Sequence, residues 1–381
     1  MGMRNRLLAA ALAAIGLAAA ALGGTASARS TALATLNTAK LIVTPATQNV
    51  GGGGYKVKFT KAQTDSDVAR VVIYVPQGYQ LVTSQSPGTK VGTSAATVFS
   101  HDLNAVVPVT GTVEIANPAD FTIQATACTG TATHTQELAL RLQAAGTPLT
   151  VPAFVDAVTA PPLAAIASAT ITFCLSPPDL PPGNPARATL GASLITAEFT
   201  TTTLNSPATR GEYRWRALAT PYQAGNGKID AASTVETQSL VELPTQVTIK
   251  AKVSKSAKGI ATIGYSGSLL AALQGVGSAT VDVYKGATQR AVKKFKSQTT
   301  DSNGAYKGSA AVKEGKKAAS LYLLAKAKTP DQDLGSAGCT ATFVPPLSPA
   351  PIPCVDATVG GVSVTSAAVK VKIPAAPRKK R

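Results

Sequence analysis

Between Leu41 and Ile373 segments whose apolar residues alternate with a period of two recur along this chain, and no stretch sustains the 3.6-residue period of an amphipathic helix. Successive side chains of an extended strand point to opposite faces, so such a chain can bury one side of each segment only in a sheet. Tyr55, Val57 and Phe59 alternate with Lys56 and Lys58, and Tyr213 and Trp215 alternate with Arg214 and Arg216. Val71-Val72-Ile73-Tyr74-Val75 is a continuous apolar run stopped by Pro76, the pattern of a strand buried on both faces. Further strands are expected at 41–43, 105–109, 138–142, 149–155, 171–175 and 194–199. Small, β-branched and turn-forming residues dominate, as many short strands require.

The chain opens with an export pattern. Arg4 and Arg6 precede an apolar run from Leu7 to Leu22, and Ala26-Ser27-Ala28 places small residues where a signal peptidase cuts. The run falls short of the roughly 20 residues that span a membrane. An uncleaved N-terminal anchor is the competing reading. No Cys follows the run to carry a lipid, and no second apolar stretch follows, so the mature chain is expected without a transmembrane span, extracellular or in the cell envelope. Cys128, Cys174, Cys339 and Cys354 then read as two disulfides. Pairing Cys128 with Cys174 and Cys339 with Cys354 keeps each bridge within one region. The second would close a loop of about 15 residues, worth about 3 kcal/mol in the chain-entropy description. Zinc is the alternative for the four thiols, but no C-x-x-C occurs and no Cys lies within five residues of either histidine.

Charge divides the chain near Pro244. Residues 29–243 carry 13 Lys+Arg and 13 Asp+Glu, whereas residues 244–381 carry 21 and 6, a net of +15. A new alternating series starts there: Val247, Ile249, Ala251 and Val253 against Thr248, Lys250 and Lys252. The expected organisation is a signal peptide (1–28), a neutral sandwich region (29–243), a basic sandwich (244–373) and a flexible basic tail (374–381) started by Pro374 and Pro377. The neutral region is either one large sandwich or two small ones joined near Gly130 to His134.

In the basic region, Val281-Asp282-Val283-Tyr284 precedes Thr300-Asp301-Ser302-Asn303-Gly304-Ala305-Tyr306, and Leu321 to Ala327 follows. This order over residues 246–373 resembles the bacterial immunoglobulin-like and carboxypeptidase-regulatory-like (transthyretin-like) β-sandwich modules. The resemblance implies a sandwich that serves as a spacer or binding module and supplies no catalytic residues. The fold expected overall is all-β: two antiparallel sandwiches of immunoglobulin-like type, or three if the neutral region divides.

No motif marks an enzyme. A nucleophile needs a base beside it, usually His. His101 and His134 are the two histidines; both lie in Ser/Thr-rich stretches where an exposed His is the default, and no G-x-S-x-G occurs. Asp301-Ser302-Asn303-Gly304 starts like a calcium loop, but lacks the later bidentate Glu and reads as a hairpin turn. Asp65-Ser66-Asp67 and Asp331-Gln332-Asp333 read as solvated loops, and Gly51 to Gly54 as a flexible turn. Neither a cofactor nor a metal is expected.

The lysines offer the one candidate interaction surface: Lys293, Lys294 and Lys296; Lys313, Lys316 and Lys317; and Arg378, Lys379, Lys380 and Arg381. They read either as solubilising charge or as a site for an anionic cell-wall polymer or membrane surface. Nucleic acid is not expected, because aromatic stacking platforms are sparse. A secreted hydrolase without a visible motif and a self-associating structural surface protein are the rival readings.

Overall fold

The computed structural model describes residues 34–46, 53–144, 146–257, 259–271, 274–335 and 354–376. Within them the chain is almost entirely β.

The first region contains β1 (Lys40–Pro45), β2 (Gly53–Thr60), β3 (Val68–Pro76), β4 (Gln80–Leu81), β5 (Lys90–Ser100) and β6 (Ala105–Ile115). A short helix α1 (Thr122–Thr129) follows, then β7 (Gln136–Ala144), β8 (Thr147–Ala157), β9 (Ala167–Cys174), β10 (Ala192–Asn205), β11 (Gly211–Pro221) and β12 (Val235–Leu243). All join one sheet in the order β1-β2-β10-β5-β6-β7-β8-β9-β3-β11-β12, with β4 beside β10. Residues 130–134 form the loop between α1 and β7, and the strands on either side of this excursion, β6 and β7, pair directly with one another.

The sheet folds back on itself. The N–H groups of Leu41 and Val43 on β1 donate to the hydroxyls of Thr237 (3.0 Å) and Ser239 (2.8 Å) on β12, at the far end of the strand order. Buried edge donors of β1 are thereby satisfied by side chains instead of a strand ladder. One core fills the roll, from Leu36 on the N-terminal side to Leu243, with Tyr55, Ile73, Leu138, Ile171 and Trp215 fully buried in it. Alternation places the expected residues inward: Tyr55, Val57 and Phe59 are buried, while Lys56 and Lys58 are partly exposed. Arg216 departs from the simple pattern. It is buried on the outer face of β11, with its guanidinium 3.5 Å from the buried Glu236.

Cys128 and Cys174 are disulfide-bonded, with a Cα separation of 5.7 Å, and fasten the end of α1 to the end of β9. Cys339 and the side chain of Cys354 lie outside the described residues.

The second region contains β13 (Thr245–Val247), β14 (Lys250–Ala257), β15 (Ile260–Ala271), β16 (Gln274–Gly275), β17 (Thr280–Gly286), β18 (Val292–Thr299), β19 (Ala305–Lys313) and β20 (Ala319–Lys328). It continues with β21 (Gln332–Gly335), β22 (Cys354–Val359), β23 (Ser363–Thr365) and β24 (Val369–Ile373). β13, β14, β16 and β19 surround β15 in one five-stranded sheet; β18-β17-β20 with β23 and β24 form the other. Ile263, Leu269, Val281, Val283 and Leu323 fill the space between them.

Two features were not expected. β22 pairs with β12 in parallel, and β21 pairs with β22, so residues 332–335 and 354–359 extend the sheet of the first region. The Asp301–Gly304 turn is not a hairpin. It carries the chain from β18 in one sheet to β19 in the other, and β19 pairs with β15. Gly304 sits at φ +73°, and a Cβ there would lie 2.3 Å from the carbonyl oxygen of Leu269, so the crossing needs glycine.

Candidate functional site

The strand registers of the second sandwich bring separated lysines to one end. Gly286 pairs with both Val292 and Tyr322, which puts the turn between β17 and β18 at the same end as the start of β20. Lys313 closes β19 at that end, opposite Ile260, and Ile373 pairs there with Ala319. The exposed side chains of Arg290, Lys293, Lys313, Lys316 and Lys317 therefore crowd one pole. The Ala376 N–H donates to the Gly315 carbonyl at 2.9 Å, so the chain enters its last residues from this pole. Arg378, Lys379, Lys380 and Arg381 lie outside the described residues. The acid of this pole is Glu314, which is buried and accepts from Ser256. Among the described residues, Lys293, Lys296, Lys313, Lys316 and Lys317 have no carboxylate partner; Lys294 pairs with Asp282 at 2.8 Å. The opposite pole carries the links to the first region, through Leu243 to Thr245 and through the entries to β21 and β23.

The basic surface continues along both sheets. On the outer face of β17-β20-β24, Lys326 Nζ lies 4.9 Å from the Tyr284 ring centre and Lys370 Nζ lies 5.9 Å from that of Tyr322. Lys294, Lys328 and Lys372 share that face by register. On the other sheet, Lys250 and Lys307 flank Ser266 on neighbouring strands, beside an open groove of about 650 Å³ also lined by Asp301 and Tyr306. Lys250, Lys252, Lys307, Lys326, Lys328, Lys370 and Lys372 were not singled out from sequence, because single lysines alternating with apolar residues read as ordinary outward strand positions. Lys296 lies one register step inward of Lys294, because Phe295 forms a bulge against Tyr265.

Each acidic loop has a structural assignment. Asp301 Oδ1 accepts from the N–H groups of Asn303 and Ala305, both at 2.9 Å, and so organises the turn. Asp331 accepts from Gly361 N–H at 2.9 Å, and Asp333 pairs with Lys40. Asp65 holds Thr38 through its N–H (3.0 Å) and hydroxyl (2.6 Å).

His134 is not the exposed loop residue expected from its neighbours. Its side chain has no exposed surface, and its ring lies 4.8 Å from that of Phe154. Nδ1 bonds Asp156 at 2.8 Å and Nε2 lies 3.2 Å from the Thr129 hydroxyl. The residues match a Thr-His-Asp relay, yet the buried imidazole offers no approach to a substrate, and the array ties the loop after α1 to β8.

His101 is exposed and borders a cavity of about 290 Å³ together with Asp67, Asp179, Ser193 and Tyr222. The Ser193 hydroxyl donates to Asp67 rather than to the imidazole. His101 Nε2 lies 3.8 Å from Asp179 Oδ1, beyond hydrogen-bond range. A serine relay needs its hydroxyl on the base, so this is not one. Asp67, half-buried just ahead of β3, departs from the solvated loop expected: burial and the Asp179 carboxylate push its carboxyl up, against the Ser193 bond, Lys61 and His101.

No protein-family model and no curated protein matches the chain. Among solved structures, the D0-D1 domain of Intimin aligns at 10% identity over 83% of this chain and 91% of its own, with a TM-score of 0.18. A tetra-tandem repeat in the extending region of a large adhesion protein aligns at 11% identity over 89% of this chain and 100% of its own, with a TM-score of 0.25. At such TM-scores the alignments define no common arrangement.

Proposed function

We propose that this chain is a non-catalytic extracellular or cell-envelope protein whose second sandwich attaches to an anionic envelope polymer through its basic pole. The observation that carries the reading is the convergence of Arg290, Lys293, Lys313, Lys316 and Lys317 on the pole remote from the neutral first region. Exposed cations without carboxylate partners hold a positive potential that internal ion pairs would cancel. The first region carries no net charge, so high charge is not a general requirement for solubility along this chain. The export pattern and the Cys128–Cys174 bond support placement outside the cytoplasm.

Attraction of this kind is Coulombic and spread over many lysines. Polygalacturonate and phosphatidylglycerol vesicles serve as probes, titrated with the chain from residue 29 onward. Binding should weaken steeply as salt shortens the screening length from about 10 Å at 0.1 M to about 3 Å at 1 M. Near an anionic surface each lysine is worth about 1 kcal/mol, so K313Q/K316Q/K317Q should weaken vesicle binding on the order of 100-fold. A K56Q/K90Q control in the first region should leave it unchanged. Binding that ignores salt, or a triple variant that binds as the native chain does, overturns the proposal.

A further inference from the structure

The cavity beside His101 holds a constellation that neither the sequence nor the attachment function uses. Asp67 immediately precedes β3, His101 immediately follows β5, and Asp179 lies in the long loop after β9. These three segments are distant in the chain, yet one ring nitrogen and one oxygen of each carboxylate lie within 4.8 Å of one another. We propose that Asp67, His101 and Asp179 bind a divalent cation of the zinc class.

The remaining contacts of each group leave a ligand atom for the ion. Asp67 gives Oδ1 to the Ser193 hydroxyl, which orients the carboxylate and leaves Oδ2. Asp179 accepts from the Gly225 N–H through Oδ2 at 3.4 Å, so Oδ1 faces His101 Nε2. Metal bonds of about 2.0–2.2 Å set ligand atoms roughly 3–3.5 Å apart. His101 and Asp179 have exposed side chains on loops, so small rotations draw them in while Asp67 stays anchored.

Local charge favours a dication. Two carboxylates face one another across the cavity, and the nearby cations are committed elsewhere. Lys61 is buried, with its ammonium on the carbonyls of Ala62 and Asp65, both at 3.2 Å. Arg187 makes two bonds to Asp102, at 2.8 and 2.7 Å. One imidazole with two carboxylates suits zinc, cobalt or manganese, whereas calcium seeks six to eight oxygens. Three protein ligands leave a fourth tetrahedral position, which the cavity of about 290 Å³ leaves to water. The ion would pin three loops of the roll together.

The test is calorimetric titration of Zn²⁺, and separately of Ca²⁺, into chelator-stripped chain from residue 29, with thermal melts beside it. The native chain should take up one equivalent of zinc and melt higher with it. H101Q and D179N, both at exposed side chains, should lose about tenfold or more in affinity and the zinc-dependent rise in melting temperature. D120N, an exposed carboxylate elsewhere, should behave as the native chain. No saturable zinc uptake at millimolar concentration, uptake that survives H101Q, or calcium bound more tightly than zinc each overturns the proposal.

Discussion

Replacing Cys128 and Cys174 together by alanine tests how the roll is stabilised. The bond spans a sequence separation of 46 residues, and in the chain-entropy description a loop of that size is worth about 4 kcal/mol. Of the two elements it joins, β9 is held by strand pairing on both sides, whereas α1 has little else to hold it. α1 has eight residues, fewer than the about 12–15 that an isolated helix needs. Its buried residues, Ala125 and Cys128, belong to a small cluster with Phe121, Ala139 and Phe154, apart from the main core. Trp215 is the one tryptophan and is fully buried in the main core, so its fluorescence reports loss of the roll rather than fraying of α1. With a urea m-value of about 2–3 kcal/mol/M, the Trp215 transition of C128A/C174A should move down by roughly 1.3–2 M. A midpoint within about 0.2 M of the native chain would refute the reasoning. Faster amide exchange in α1 with that midpoint unchanged would reduce the bridge to a local clasp.

Two further outcomes are expected. Glu137 is buried with neither carboxylate oxygen hydrogen-bonded. Burial, and behind it the Asp156 charge, hold its carboxyl above the usual range against the pull of His134. A raised folded value favours the native state below the ordinary Glu range of about 4.3, and that benefit is lost as pH rises through the folded value. E137Q should therefore melt increasingly above the native chain from pH 4 to pH 8, and a pH-independent difference would contradict this. In an isolated 244–376 fragment, hydrogen exchange should leave 332–335 and 354–359 unprotected, because their partner β12 is missing, while β15, β17 and β20 stay protected; equal protection throughout would show that β21 and β22 hold without it.

Alternation in the chain was enough to assign strands and, at Tyr55, Val57 and Phe59, the face that turns inward, because a period of two leaves one buried side. An even number of cysteines behind an export pattern was enough to suggest the bond between Cys128 and Cys174. The charge step near Pro244 was readable as a count. What the count does not contain is where the lysines meet: Lys293, Lys313 and Lys316 share a pole only because β17, β19 and β20 run in particular registers in two facing sheets. Pairing partners depend on which distant strand completes the core, and local pattern carries no information about that choice. The same holds for β12, whose polar Glu236 and Gln238 are buried, and for β22, which pairs with β12 from more than 100 residues further along the chain. It holds most for Asp67, His101 and Asp179, each in an unremarkable loop, which only the closure of the roll sets side by side.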